Sequence, residues 1–401
     1  MSEAPNRFDL LRRAPVAPAP PTSPPELLSA IQTLDAATWD QMAAYYDNPH
    51  LRPKGTTTYI PCLDTHFKWM PGYTNLFTGW PGSGKSEFVR HLLLLQAVIG
   101  RKKSLIFAPE DMPKESWYDA LIFSLTGQDP DPEAFNPLPR AYYQRAAEFV
   151  RDFFHVVVCP RGAPKTPAYI LDVFEAGRAK HGYAHFVLDP WNKCDHSGLA
   201  AAGGFQPYLV NELGNMTEWC TATQTCLTLI AHPAKKQRQR GEAREVPDSD
   251  GVSGGATWDD MMYTINAIYR PNVHQVRNDP AVAFYNHKIK SHRRLGAKPG
   301  SIGAGSENPA VLLEFDWKTA RYTFDGATPL SLPAVQSIYA PELTGTPAPT
   351  PAPPAPTWNP HLIPAASQFE HTPGPMRVAA TARPESPLGV AGIRFGSASI
   401  E

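Results

Sequence analysis

Cysteine is scarce. There are five in 401 residues (Cys62, Cys159, Cys194, Cys220 and Cys226), and no two form a CxxC pair. That argues against a disulfide framework or a zinc module and for reduced thiols. No apolar run reaches the roughly 18 residues a membrane span needs, so no membrane partner is expected. Met1 to Pro25 has no apolar signal-peptide core. The expectation is a cytoplasmic protein of a bacterial or phage-infected host cell. Charge of either sign is also lacking in excess: 37 Lys and Arg face 38 Asp and Glu, a net −1. A uniformly basic nucleic-acid coat is excluded, while a local basic channel is not. No internal repeat is found.

Proline, by contrast, is abundant at 44 residues, about twice ordinary usage. Seven fall in residues 1–25 and thirteen in 341–401. The reading is a disordered Pro-rich arm at 1–25, a helical linker segment at 26–56, a folded body at 57–330 and a Pro-rich disordered tail at 331–401. Hydrophobic residues make up 42 %, enough for a substantial core in that body.

Residues 26–46 place Leu27, Leu28, Ile31, Leu34 and Trp39 at helical spacing, which predicts one or two amphipathic helices. From residue 57, strands and helices alternate. Strands are expected at 75–78, 104–108, 155–159, 185–189 and 227–231. Helices are expected at 86–99, 113–126, 138–152 and 167–180. This order predicts an α/β fold, a mostly parallel sheet covered on both faces. Strands at 263–269, 281–290, 310–315 and 321–324 have short connections and predict an antiparallel C-terminal edge.

Gly79-Trp80-Pro81-Gly82-Ser83-Gly84-Lys85-Ser86 matches G-x-x-x-x-G-K-[ST]. Glycines let backbone N–H groups turn inward around a phosphate chain. The following helix N-terminus adds positive potential. Lys85 supplies charge to the β- and γ-phosphates, and the Ser86 hydroxyl can ligate Mg²⁺. These residues, with the adjoining Glu87, are the candidate ATP-binding set. A strand before and a long apolar helix after make a chance glycine turn a poor alternative.

Such an enzyme needs a carboxylate at a neighbouring strand end to hold Mg²⁺. Asp189 closes His185-Phe-Val-Leu and fits; the plain alternative is a cap of the next turn. Pro190 follows it, so the water-activating base must come from elsewhere. Glu110 ends Phe107-Ala-Pro-Glu and would share the same sheet edge. Asp111 is its rival, and an N-cap near Pro113 is the structural alternative. His232 ends Leu229-Ile-Ala-His and is a candidate γ-phosphate sensor, though a lone His is commonly structural.

Two basic stretches remain. Lys235, Lys236, Arg238, Arg240 and Arg244 lie in a long loop that suits either a nucleic-acid backbone or solvent. Lys290, Arg293 and Arg294 follow a late strand. Any of them could stabilise charge on a neighbouring subunit's nucleotide, or be a DNA-facing or solvated patch.

Taken together, these pieces resemble a known family. Leu63-Asp64, Trp69-x-Pro71-Gly72 and the run Thr74 to Phe88 look like the helicase domain of Twinkle-type and DnaB-type replicative helicases. Asp189-Pro-Trp-Asn192, Ile230-Ala-His-Pro233 and Gly254 to Arg270 resemble its later motifs, so the likeness covers roughly residues 57–325. The resemblance implies a RecA-like P-loop core, a homo-hexamer with ATP sites between neighbours, and single-stranded DNA in a central channel. By motif, Lys85 and Ser86 carry over as phosphate and Mg²⁺ residues, Glu110 as catalytic glutamate, Asp189 as metal-side aspartate and His232 as sensor. The trans arginine carries over poorly, because Lys290-Ser-His-Arg293-Arg294 departs from the expected spacing.

About 55 residues precede the ATPase motifs, so no primase module is expected. Helix 26–46 is expected to act as a linker packing on the next subunit. The leading expectation is a ring-forming, ATP-dependent DNA helicase. The runner-up is a non-unwinding ATPase of the same core, such as a recombinase-like, loading or regulatory protein of a phage or mobile element. The tail, ending Gly392-Ile-Arg-Phe-Gly396, reads as disordered or as a docking segment for replication partners.

Overall fold

Nine strands form one sheet in the order β3-β2-β4-β5-β1-β6-β7-β8-β9. The structure is a computed structural model that describes residues 31, 33–111, 113–234, 245–273, 276, 278–300 and 309–344. The strands are β1 Thr74–Thr78, β2 Ser104–Phe107, β3 Phe154–Val156, β4 His185–Leu188, β5 Cys226–Ala231, β6 Thr264–Tyr269, β7 Ala281–Ile289, β8 Val311–Asp316 and β9 Arg321–Thr323. From β3 to β6 every pair is parallel; β7, β8 and β9 add on antiparallel. The expected α/β architecture with an antiparallel edge is therefore what forms.

Helices are α1 Ala36–Asp47, α2 Pro61–Asp64, α3 Lys85–Val98, α4 Lys114–Thr126, α5 Arg140–Phe153, α6 Pro167–His181, α7 Phe205–Thr223, α8 Ala256–Met261, α9 His292–Leu295, α10 Pro333–Tyr339 and α11 Pro341–Thr344. Side chains of the central strands alternate between two cores, as a pleated sheet dictates. Phe77, Ile106, Val187 and Ile230 point to one, filled by α3, α4, α5 and the α10 residues Val335 and Tyr339. Leu76, Leu105, Phe107, Phe186, Leu188, Leu227 and Leu229 point to the other, filled by Ile170 and Phe174 of α6 and Leu209, Leu213, Met216 and Cys220 of α7. Each such large apolar side chain contributes about 1.5–3 kcal/mol by leaving water.

Local signals account for the helix ends. The Thr166 hydroxyl caps α6 by accepting the Tyr169 N–H at 3.2 Å, with Pro167 in the first turn. Asp35 caps α1 by accepting the Thr38 N–H at 2.7 Å.

Several expectations need correction. The linker helix starts at Ala36, while residues 26–30 and 32 lie outside the described set. The third strand is Phe154–Val156 and not 155–159. Its pairing with β2 is complete by Val156, after which Val157 still donates to the Ile106 carbonyl at 2.7 Å. The 19-residue helix α7 has no counterpart among the expected elements. The boundary at 331 falls inside packed structure: Val335 and Tyr339 are buried, and Arg145 of α5 meets Glu342 at 2.7 Å. Residues 345–401 lie outside the described set.

Where the sheet changes sense, buried polar side chains run across it. The Thr264 hydroxyl donates to Asn75 Oδ1 at 2.9 Å, and Asn266 Nδ2 donates to the Leu76 carbonyl at 3.2 Å. Asn286 Nδ2 then donates to Asn266 Oδ1 at 2.7 Å. All four side chains belong to fully buried residues.

Candidate nucleotide site

The parallel strands end at one sheet edge. Register places Thr78 beside Ala231, Leu188 beside Leu229 and Phe107 beside Leu188. The segments leaving those strands are Gly79–Ser86, Glu110, Asp189 and His232, so topology gathers four of the expected groups.

The loop needs its glycines for two separate reasons. A Cβ on Gly79 would collide with Ser83 Oγ and lie 2.6 Å from the Ile268 carbonyl. Gly84 has φ +85°, a conformation costly for other residues, and is the N-cap of α3. No side chain caps α3. Its first N–H groups therefore stay available to an anion. Trp80 anchors the loop by donating its indole N–H to the Glu245 carbonyl at 2.8 Å. Glu87 pairs with Arg90 of the same helix.

Lys85 is only 5 % exposed and has no carboxylate within ion-pair distance among the described residues. Burial lowers its pKa, while Asp189 and Glu110 oppose that shift. The hydroxyls of Thr78 and Ser83 and Nδ1 of His232 are buried without a partner. A buried ammonium and unpartnered hydroxyls are what a polyphosphate would satisfy. Burial pushes the Asp189 carboxyl up to about 6; the neighbouring Ser86 hydroxyl pulls the other way, Asp111 adds to the rise, and Lys85 and Arg90 oppose it. A desolvated carboxylate beside a hydroxyl is a donor pair that suits a hard cation such as Mg²⁺.

Glu110 sits opposite. Its Oε1 is 3.2 Å from Lys193 Nζ and its Oε2 is 3.9 Å from His232 Nε2. Asp111 instead meets Arg90 at 3.3 Å. Burial, then Lys85, lower the His232 pKa, and Glu110 raises it. The backbone N–H of His232 donates to Asn192 Oδ1 at 2.9 Å.

The late basic residues lie elsewhere. Antiparallel pairing sets Ile289 against Thr264, at the start of β6, so α9 with Arg293 and Arg294 stands at the opposite sheet edge from Lys85. Lys290 donates to the Asp260 carbonyl at 3.2 Å and lies over the Tyr263 ring. Lys235, Lys236, Arg238 and Arg240 fall outside the described residues.

Three residues that touch these groups, Asn192, Lys193 and Tyr322, carry no role in the sequence reading. Asn192 closes the Asp189-Pro-Trp-Asn192 run without a role assigned to it there, and Lys193 follows it directly. The Tyr322 hydroxyl donates to the Gly84 carbonyl at 3.0 Å. Arg270, which follows β6, lies 5.1 Å over the half-exposed ring of Trp317, which follows β8. Tyr322 is 238 residues from Gly84 in sequence, so only topology reveals it.

No protein-family model matches the chain. A chloroplastic/mitochondrial Twinkle homologue of Arabidopsis thaliana is 24 % identical over 217 residues, covering 53 % of this chain and 30 % of the relative. A DnaB-like replicative helicase, solved for its interactions with primase, superposes with a TM-score of 0.54 at 13 % identity, over 75 % of this chain and 69 % of that one. The fold is that of a helicase ATPase domain. A second solved structure, of an ATPase domain alone, superposes with a TM-score of 0.56 at 13 % identity, over 72 % of this chain and 99 % of that one. The resemblance to Twinkle- and DnaB-type helicases read from the motifs is thus met by both sequence and fold. The chain spans about a third of the Twinkle homologue's length. Among the described residues no helix is long and apolar enough to cross a membrane.

Proposed function

We propose that this protein is an ATP-dependent DNA helicase that moves along single-stranded DNA as a hexameric ring. The observation that carries this reading is the meeting of Lys85, Ser86, Asp189, Glu110 and His232 at one edge of a helicase-type sheet.

In this reading the Gly79–Ser86 loop holds the phosphates through its N–H groups and Lys85 neutralises charge on the γ-phosphate. Ser86 and Asp189 would hold Mg²⁺, which when bound would offset negative charge on the phosphates. Glu110 orients a water and accepts its proton as the water oxygen bonds to the γ-phosphorus and the bond to the ADP oxygen breaks. His232 contacts the γ-phosphate and passes its loss to β5. Trp317, with Arg270 stacked on it, offers a flat face to the base. Arg293 and Arg294, with Lys290 beside them, lie too far from their own site and serve the neighbouring copy's nucleotide. The segment bearing Lys235, Lys236, Arg238 and Arg240 contacts DNA phosphates. The exposed helix α1 packs on the next subunit, and residues 345–401 recruit replication partners.

The test is ATP hydrolysis with and without single-stranded DNA, alongside fork unwinding, for wild type and Lys85→Ala. DNA-stimulated hydrolysis with unwinding, both lost in Lys85→Ala, is expected. Stimulated hydrolysis without unwinding points to the recombinase-like or loader reading.

A further inference from the structure

We propose that Tyr322 is a positioning residue of the phosphate loop, one that sets the direction of the Lys85 N–H through the Gly84 carbonyl. The inference rests on the nucleotide-site reading above and adds to it a residue from the far antiparallel edge.

Tyr322 is 1 % exposed and its hydroxyl donates to the Gly84 carbonyl at 3.0 Å. The same carbonyl accepts the Phe88 N–H at 2.8 Å, the first bond of α3. In a trans peptide the carbonyl and the next N–H point in opposite directions. Holding the Gly84 oxygen toward Tyr322 therefore turns the Lys85 N–H away from it, alongside the other uncapped N–H groups at the start of α3. Gly84 tolerates a wide range of backbone angles, so an external tether has something to restrain. The space confirms how close the tether is: a Cβ on Gly84 would come within 2.8 Å of Tyr322 Oη.

The phenol itself has little freedom. Its ring meets Phe88 edge-on at 5.2 Å and His91 at 5.5 Å, and tilts against Phe315 at 4.9 Å. The preceding Arg321 is fixed by donating to the Ser124 carbonyl at 2.8 Å and the Leu125 carbonyl at 2.5 Å, at the end of α4. Burial drives the hydroxyl pKa well above its ordinary value, so it stays a donor. β9 thus carries a rigid donor aimed at the hinge between loop and helix.

Tyr322→Phe removes one oxygen and keeps the ring. The measurement is steady-state ATP hydrolysis with Mg²⁺, with direct titration of a fluorescent ATP analogue and thermal unfolding without nucleotide. Expected is an about five- to tenfold rise in KM and in the analogue's Kd, the size of one lost hydrogen bond. The turnover number should stay within about twofold and the unfolding midpoint within about 2 °C, given the conserved ring packing. Unchanged KM, a loss confined to turnover, or a loss that tracks a lowered unfolding midpoint overturns the proposal. Lys85→Ala separates the two readings. If wild type and Lys85→Ala bind the analogue equally, the nucleotide-site reading itself fails. If only wild type binds and Tyr322→Phe matches it, the tether alone fails.

Discussion

The side-chain oxygen of Asn192 accepts the backbone N–H of His232 at 2.9 Å. The next residue, Lys193, reaches Glu110 at 3.2 Å. β4 lies between β2 and β5, so the turn that leaves it touches the residues leaving both neighbours. Asn192→Ala should slow hydrolysis about tenfold, one lost hydrogen bond at a catalytic edge, with nucleotide affinity within about threefold. Asn192→Asp keeps the acceptor and should recover most of the rate. A wild-type rate in Asn192→Ala would show that the turn has no hold on His232.

Glu110 and Asp111 are adjacent but face different partners, Lys193 and His232 against Arg90. Glu110→Gln should cut single-turnover hydrolysis by about 10²–10⁴, the usual value of a general base, and leave nucleotide binding intact. Asp111→Asn should stay within a few-fold. Equal losses in the two variants would remove the assignment of Glu110.

Helix α1 buries none of its residues, and Trp39, Met42 and Tyr46 are exposed on it. An apolar face this bare gains by meeting a second surface. On the proposed hexamer, deleting residues 1–50 should leave smaller species in the presence of nucleotide, read as mass by light scattering. An intact hexamer after the deletion rejects the linker role.

His91 and His185 are buried, and burial lowers each imidazole to about 3. In the unfolded chain both titrate near 6.5. Between those values the unfolded state binds more protons, so stability is full above about 6.5 and drains as pH falls. At pH 5 each ring costs about 2 kcal/mol relative to pH 7. Urea midpoints across pH 5–8 should show this slope, and His91→Leu should flatten it by about one proton. An unchanged slope would mean that His91 binds protons equally in the folded and unfolded states.

The central sheet was legible because its strands are short β-branched and aromatic runs ending in chemistry-bearing residues: Phe77-Thr78 before the loop, Val187-Leu188 before Asp189. Helix α7 was not, although Leu209, Leu213, Met216 and Cys220 repeat at helical spacing. Its Pro207, Gly214 and Thr-rich end weaken local propensity, and burial against β5 overrides them. α10 hid in a proline-rich stretch, where Pro333 reads as a breaker but serves as the first residue of a helix. The edge on which Arg293 and Arg294 stand depends on β7 running antiparallel, information carried by pairing and not by spacing.

The row of Asn75, Thr264, Asn266 and Asn286 has a consequence for how the sheet assembles. Sliding β6 by one residue against β1 would send Asn266 to the opposite face and strand its amide among apolar side chains. Apolar neighbours would tolerate such a slip; paired amides do not. The row acts as a keyway: it admits the antiparallel half of the sheet at a single alignment, the one that brings β9 alongside the phosphate loop.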